Sequence, residues 1–292
     1  MSTKLDIYTT KRRGRITNFL FTSACFLATI TCVILLFVLI WNIILQGKNW
    51  LSWDFVLNFP SRFPHKAGIK SALFGSIWLI SLTALFSVPL GVGAAIYLEE
   101  YAPKTRWRKL IQLNISNLAG VPSIVYGILG LALFVRALSL QRSIVSGALT
   151  LTLVVLPIII LASQEALRSV PDSIRRSAYA LGATRWQTVW YQVLPASLPG
   201  IMTGVILSLS RALGEAAPLI AVGAMAYVPF VPESLTDEFT ALPIQIFNWT
   251  SRPQEDFHHL AAAGILVLLI LLVTMNAVAI FVRHKYGKKI RW

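Results

Sequence analysis

Five long runs without a charged residue constrain this chain more than any other feature of its sequence. An α-helix of about 20 apolar residues, rising about 1.5 Å per residue, crosses the roughly 30 Å hydrocarbon layer of a bilayer. The runs that reach this length are bounded by Ile16 and Gly47, Ser71 and Leu98, Leu110 and Val135, Ser143 and Gln164, and Leu260 and Val282. With 56% hydrophobic and 13% charged residues, the composition also excludes an ordinary soluble domain.

A sixth apolar stretch, at 198–230, is interrupted only by Arg211 and Glu215. The sequence therefore predicts an all-α, polytopic integral membrane protein with six transmembrane helices. The predicted domain covers 17–282, between a basic segment at 1–16 and a basic tail at 283–292. The expected spans are at about 17–45, 71–98, 110–135, 143–163, 198–230 and 260–282.

Lysine and arginine are more abundant on one side of these spans than on the other. The segments on the side of the N-terminus hold 18 of the 26 basic residues, those on the other side hold 7, and Arg211 lies within a span. Because basic loops stay in the cytoplasm, both termini are expected there. Topology thus accounts for the net charge of +14, and we expect no nucleic acid partner.

Neither cysteine nor histidine forms a pattern typical of a metal site or a disulfide framework. Cys25 and Cys32 both lie in the first span, and the four histidines lie in loops or in the tail without metal-ligand spacing. No metal site is predicted.

The loop at 164–197 is the most informative segment outside the membrane. Pro171 suits the start of a helix, Gly182 suits a left-handed stop, and Thr184 with Gln187 forms a capping-box pattern. We expect a helix, a glycine elbow and a second helix that ends at Pro195. The second helix has an apolar stripe of Trp186, Val189, Trp190 and Val193. Such a knuckle could dock into a soluble partner or rest on the bilayer.

The segment "RSAYALGATRWQTVWYQVLP" resembles the EAA loop of ABC importer permeases, with Gly182, Leu194 and Pro195 in register. It departs at Arg176, where the family has Glu, at Ser177, where it has Ala, and at Gln192, where Ile is usual. In the family this loop docks on the ATPase subunit. The resemblance assigns the coupling role to Arg176, Ala178, Leu181, Gly182, Ala183 and Thr184.

Two further stretches, "AGVPSIVYG" and "GIMTGVILSLSRALGEAAPLI", resemble the permease subunits of phosphate ABC importers, of the PstA type. The resemblance implies the type I ABC importer permease fold and a set of partners. These are a homologous permease (PstC-like), an ATPase homodimer (PstB-like) that holds ATP and Mg²⁺, and a periplasmic phosphate-binding protein (PstS-like). It implies no cofactor on this chain.

The sequence has no Gly-x-x-x-x-Gly-Lys-Ser/Thr loop for cradling ATP. We therefore expect a chain that is not an enzyme, with transport powered by a partner ATPase or by an ion gradient.

Arg211 and Glu215 need a reason to lie in a span, since a charge at the bilayer centre costs about 2.5–3.5 kcal/mol. One hypothesis is an ion pair that holds the helix to a neighbour. The other is an anion pathway, in which Arg211 offers its fork of donors to an oxyanion and Glu215 holds the guanidinium between substrates. Glu215 can also accept a proton from hydrogen phosphate, whereas sulfate at neutral pH has no proton to give.

Ser123 and Tyr126 follow Pro122 and could add neutral hydrogen-bond donors to the same pathway. The alternative is that they satisfy a carbonyl freed by the proline.

The leading hypothesis is a permease subunit that imports inorganic phosphate by alternating access across a bacterial plasma membrane. A permease for sulfate or molybdate, a secondary phosphate carrier that uses Glu215 as a proton relay, and a non-transporting partner or sensor are the alternatives.

Overall fold

The computed structural model describes residues 3–225 and 227–287, most of which lie in helices. Within these residues the extended pairing amounts to an isolated antiparallel bridge between Ser143 and Glu238. The α-helices are α1 (Thr3–Gly47), α2 (Trp53–Leu57), α3 (Lys70–Ile96), α4 (Arg106–Ala119), α5 (Ser123–Gly130), α6 (Ile144–Arg168), α7 (Asp172–Ala180), α8 (Arg185–Thr188), α9 (Leu194–Gly214), α10 (Ala217–Val222), α11 (Leu242–Thr250) and α12 (Glu255–Gly287). Three π-helical segments extend α3, α5 and α8, at Tyr97–Tyr101, Leu131–Ala137 and Val189–Val193.

Among the described residues, five helices are long and apolar enough to cross a membrane, and there are six if one bent pair counts as a span. The five are Asn18–Gly47, Lys70–Tyr101, Ile144–Arg168, Arg185–Gly214 and Glu255–Phe281. The bent pair is Arg106–Ala119 with Ser123–Ala137. The helical architecture predicted from the sequence is therefore confirmed.

The centre of the fold is a bundle of α3, α6 and α9, in which α6 is the most buried helix. Small residues let the backbones approach: a Cβ on Gly204 would lie 2.4 Å from the Ala162 side chain, and one on Gly91 would lie 2.6 Å from Ile159. Close packing through small residues is the usual basis of helix association in a membrane, where apolar side chains gain little by leaving lipid.

The first span lies at the edge of this bundle and packs mainly on α12. At its end, Gly47 lies against the backbone of Ala262 and Ala263. Between Phe19 and Leu45 most of its large apolar side chains are exposed in the single chain. Such a surface suits contact with lipid or with another membrane subunit.

The third predicted span, at 110–135, is not one straight helix. α4 ends at Ala119 and α5 begins at Ser123, and the two meet at an angle of 101°. Pro122 lacks an N–H and disfavours helical backbone at the residue before it, so the helix breaks here. The sequence showed the proline but not how sharply the chain would turn.

The fifth predicted span, at 198–230, also differs from the expectation at both ends. Its helix begins at Arg185 and runs through Pro195 to Gly214, so the prediction that Pro195 ends the second loop helix is wrong. The π-helical turn before the proline accommodates it, since Leu194 N–H bonds the Val189 carbonyl five residues back. Beyond Gly214 the backbone leaves the helix, and α10 follows.

The aromatic residues of the segment at 45–70, the outer segment expected after the first span, lie in two environments. Phe55 is buried against Trp249, with ring centroids 5.9 Å apart. Trp53 and Phe63 are exposed. The segment therefore rests on the protein on one side and leaves aromatic rings free on the other.

A tight contact joins α5 to α10, so we expect Gly127→Val to destabilise the fold. A Cβ at this glycine would lie 2.7 Å from the Pro218 backbone and from the Ala221 side chain. Overpacking of this kind costs about 1–3 kcal/mol. The thermal stability of the purified complex measures the effect, and Gly93→Val is the matched control because a Cβ there meets nothing within 4 Å. Equal stability of the two variants would contradict the close approach of α5 and α10.

Candidate functional site

The charged pair lies where the fifth membrane helix ends. Arg211 is in the last turn of α9, and its Nε donates to Glu215 Oε1 over 3.1 Å. Glu215 itself follows the helix, with φ −80° and ψ 112°. Because the helix C-terminus carries a partial negative charge, the position also favours the arginine.

The backbone is irregular at Glu215 and Ala216, between α9 and α10. Irregular backbone within a membrane is tolerated only where protein covers it or where it lines a water-filled cavity. In the single chain the Arg211 side chain is 52% exposed and the Glu215 side chain 17% exposed. The break therefore lies at a surface of the single chain on which the Arg211 side chain is accessible.

The ion pair is made within one segment and, among the residues that the structure describes, does not join α9 to a second helix. The neighbouring Ser210 performs that role instead, since its hydroxyl bonds Asn276 Oδ1 of α12 over 2.6 Å. Within this chain the geometry therefore gives no support to the interhelical ion-pair hypothesis for Arg211.

Ser123 and Tyr126 lie on α5, which packs on α10, the helix directly after Glu215. Tyr126 is buried, and its hydroxyl donates to the Leu118 carbonyl over 2.8 Å. Tyr126 therefore satisfies a carbonyl freed by Pro122, which is the alternative role that the sequence suggests for this residue. Ser123 begins α5 and is partly exposed. Among the described residues, no hydrogen bond joins either of them to the charged pair.

The predicted loop motif is present at 164–197. Pro171 precedes α7, Gly182 follows it with φ +83°, and Thr184 and Gln187 form a reciprocal capping box at α8. The elbow therefore forms as the sequence predicts, with Ala178, Leu181, Ala183 and Thr184 around Gly182. A groove of about 440 Å³ lies beside it, lined by the elbow and by Thr188, Tyr191 and Gln192 on the following turns.

The apolar stripe of the second loop helix is divided between two environments. Val189 and Val193 are buried, and Val193 packs in a cluster with Leu98 and Leu167 at the ends of α3 and α6. Trp186 and Trp190 are exposed and stack on each other, with ring centroids 5.4 Å apart. Leu181 and Tyr191 are also exposed. The elbow is thus fixed to the bundle on one side and presents an apolar surface on the other.

A family model described as "Binding-protein-dependent transport system inner membrane component" matches residues 87–291. The chain belongs to this family. The match includes the elbow, the charged pair and most of the bundle. Both candidate regions of this permease therefore lie inside the segment that the family model matches.

Curated relatives resemble the permease over most of its length. It is 33% identical to the probable ABC transporter permease protein YqgI of Bacillus subtilis (strain 168), over 85% of this chain and 88% of the relative. It is 32% identical to phosphate transport system permease protein PstA 1 of Mycobacterium tuberculosis (strain ATCC 25618 / H37Rv), over 93% and 89%. It is also 32% identical to PstA of Yersinia pestis, over 90% of each chain.

Solved structures show the same fold at low identity. A bacterial alginate ABC transporter in complex with an alginate pentasaccharide-bound periplasmic protein matches with a TM-score of 0.66 and 17% identity, over 89% of this chain and 92% of that chain. The MetNI methionine ABC transporter in an inward-facing conformation matches with a TM-score of 0.59 and 18% identity, over 73% and 94%. The type I ABC importer permease fold expected from the sequence is therefore confirmed.

The structure also contains an ion-pair network beneath the elbow that the sequence does not reveal. Glu99 binds Arg108 and Arg168 at 3.0 and 2.6 Å, and Glu100 binds Arg175 at 2.7 Å. Two adjacent carboxylates at a membrane end otherwise rich in basic residues were a visible signal. Their partners lie on α4, α6 and α7, however, and spacing along the chain does not reveal which arginines reach them.

Arg175 is the centre of the contact between α7 and the bundle. Its guanidinium donates to the carbonyls of Val170 and Leu167, at 2.8 and 3.0 Å, as well as to Glu100. Burial lowers the pKa of Arg175, but the hydrogen bond and charge of Glu100 outweigh it and raise the pKa above its usual value. The arginine is therefore a permanent cation that ties the first elbow helix to α3.

We expect Gly182→Pro to uncouple ATP hydrolysis from transport in the assembled importer. The glycine has φ +83°, whereas proline is restricted to about −65°, so the elbow cannot keep its shape. Gly182→Asn is the control, because asparagine tolerates left-handed backbone and a Cβ here meets nothing within 4 Å. ATP hydrolysis and uptake are measured on the same vesicles. Normal ATP-driven uptake by the proline variant would contradict the docking role of the elbow.

Proposed function

We propose that this chain is the transmembrane permease subunit of an ATP-driven importer that moves inorganic phosphate across a bacterial plasma membrane by alternating access. The observation that carries the proposal is the similarity, over about nine tenths of both chains, to relatives named phosphate transport system permease protein PstA. The half-exposed arginine at a helix break supplies the matching chemistry.

Arg211 would contact the anion during its passage. A guanidinium binds a tetrahedral oxyanion through two parallel hydrogen bonds and stays charged at every physiological pH. With one Nε–H engaged by Glu215, the remaining donors of Arg211 can face the passage. The exposed half of the side chain is the part that a second permease subunit would enclose.

Glu215 would hold the guanidinium in place between substrates and weaken the binding of the anion. Conduction through a passage needs sites that are weak enough to release what they bind. A carboxylate beside the arginine also accepts a hydrogen bond from hydrogen phosphate, which carries a proton, whereas sulfate at neutral pH has none to donate. Ser123, at the start of the helix that packs on α10, would offer a further neutral donor, and Tyr126 would serve mainly to hold the bend.

The partners of the proposal are a homologous permease (PstC-like), an ATPase homodimer (PstB-like) and a periplasmic phosphate-binding protein (PstS-like). ATP and Mg²⁺ would bind to the ATPase, which would dock against the exposed surface of the elbow. With both termini in the cytoplasm, the elbow lies on the cytoplasmic side, where the ATPase is available, and the acidic loop at 231–259 lies outside.

Uptake of radiolabelled phosphate into right-side-out vesicles tests the proposal. The vesicles contain this chain, the homologous permease and the ATPase homodimer, with ATP inside, and the binding protein is added outside. We expect uptake that requires both additions and that excess sulfate does not inhibit. Matched vesicles that lack only this chain are the control.

Each alternative predicts a different result in the same vesicles. Inhibition by sulfate or molybdate, with transport of the competing anion, would identify another oxyanion permease. Uptake that survives ATP depletion while a proton gradient is present would identify a secondary carrier and overturn the proposal. Unchanged uptake in vesicles without this chain would leave it a non-transporting role.

A further inference from the structure

A cavity of about 280 Å³ lies at the N-terminal end of α4. It is on the same side of the bundle as the elbow and apart from the charged pair. It is lined by Lys104, Thr105, Arg108, Lys109, Gln112 and Arg168. Four of these six side chains are cations, and the other two offer a hydroxyl and an amide. No carboxylate is among the residues that line it, which is the composition expected of an anion site.

Glu99 organises two of these cations from behind. Its carboxylate, which is 9% exposed, accepts from Arg108 Nη2 on one oxygen and from Arg168 Nη2 on the other. One negative charge therefore fixes two guanidiniums, and the second positive charge is left without full compensation. Arg168 also lies 3.6 Å from the carboxylate of Glu165, which is largely exposed to solvent and so neutralises little.

Each guanidinium has five N–H donors and spends few of them on Glu99. Because the two forks are held in place before any ligand arrives, binding an anion would cost little side-chain entropy. The far side of the cavity is equally fixed, since Gln112 and Gln164 exchange two hydrogen bonds of 2.9 Å. Lys104 and Lys109 at the rim are exposed and add two mobile charges.

The surface around the cavity also suits the edge of a bilayer. α4 turns only every third or fourth residue toward the bundle, and between Leu110 and Leu118 its other apolar side chains are exposed. Trp107, beside the cavity, is exposed as well, and tryptophan prefers the membrane–water interface. Basic pockets between helices on this side of a membrane suit phosphate-bearing head groups.

We propose that this cavity binds a phosphate group at the cytoplasmic surface of the permease, apart from the transport pathway. The ligand is a phosphate oxyanion held between the Arg108 and Arg168 guanidiniums and capped by Lys104 and Lys109. Two sources supply that chemistry: the head group of an anionic phospholipid, which would hold α4 at the interface, and free phosphate in the cytoplasm, which would report its concentration to the elbow. The adjacent residues Glu99 and Glu100 connect this site to α7, because Glu99 binds both arginines of the cavity and Glu100 binds Arg175.

The test uses the assembled complex with Lys104→Gln and Lys109→Gln combined, which leaves Glu99 and both arginines intact. The control, Lys48→Gln with Lys66→Gln, removes two exposed charges from the outer segment. In one arm, native mass spectrometry measures phosphatidylglycerol retained by each complex. In the other, calorimetry measures inorganic phosphate binding to complexes in phosphatidylcholine nanodiscs.

We expect the Lys104/Lys109 variant to bind one of the two ligands about tenfold more weakly, while the parent and the control variant stay equal. Loss in the first arm identifies a lipid site, and loss in the second identifies a site for free phosphate. Equal binding by all three complexes in both arms would overturn the proposal, and so would an equal loss in the control. Since neither readout depends on uptake, this result is separate from the test of transport.

Discussion

Arg211→Gln is expected to reduce phosphate uptake by about 100-fold or more while the importer still assembles. The substitution keeps a polar but shorter side chain and removes its charge and most of its donors. A hydrogen bond to a charged group contributes about 1.5–3 kcal/mol, and a guanidinium can make two of them to one oxyanion. Assembly should survive because, among the residues that the structure describes, Arg211 pairs with Glu215 of its own segment and not with a second helix. Uptake and subunit composition are measured on the same preparation.

Two further variants separate the fork from the charge. Arg211→Lys keeps the positive charge and loses the planar donors, so we expect intermediate uptake. Arg62→Gln removes a cation from the exposed outer segment and should leave transport unchanged. If Arg211→Gln dissociates the complex instead, the residue holds subunits together. If uptake stays near the parent value in an intact complex, the pathway does not pass this arginine.

Much of the architecture could be predicted because it depends on short-range patterns. Membrane helices follow from the length of charge-free runs, and the elbow follows from the backbone preference of Gly182 and the capping pair of Thr184 and Gln187. Two of the differences from the predicted spans arose at prolines. Pro122 bends its span by 101°, whereas Pro195 is absorbed by a π-helical turn. Which outcome occurs depends on packing around each proline, and the local sequence does not specify it.

The sequence names the candidate residues of the site but does not give their geometry. The charges of Arg211 and Glu215 were evident from their apolar surroundings, but their position at a helix break was not. The contacts of Glu99 and Glu100 were missed because their partners lie 9 to 75 residues away along the chain. Such long-range pairs become visible only when the helices are assembled.

Glu100→Gln is expected to abolish coupled transport, because Glu100 is 7% exposed and binds the arginine that holds α7. Removing one partner of a buried pair leaves an uncompensated charge, at a cost of about 3–5 kcal/mol. Arg175 would keep its bonds to the carbonyls of Val170 and Leu167 but lose its link to the end of α3. Helix α7 should therefore move without α3, and ATP hydrolysis should continue without uptake. Asp172→Asn is the matched control: Asp172 contacts the same arginine at 3.4 Å but is 76% exposed, so its loss should cost under about 1 kcal/mol.

The exchanged pair, Glu100→Arg with Arg175→Glu, distinguishes a positioning role from general damage to the fold. It restores opposite charges between α3 and α7 but not the bonds from Arg175 to the carbonyls of Val170 and Leu167. We therefore expect partial recovery of the ratio of phosphate moved to ATP hydrolysed, above that of either single variant. No recovery, or equal defects in Glu100→Gln and Asp172→Asn, would show that the buried pair does not transmit motion from the elbow. Recovery would show that ATP-driven movement of α7 reaches the membrane helices through this contact.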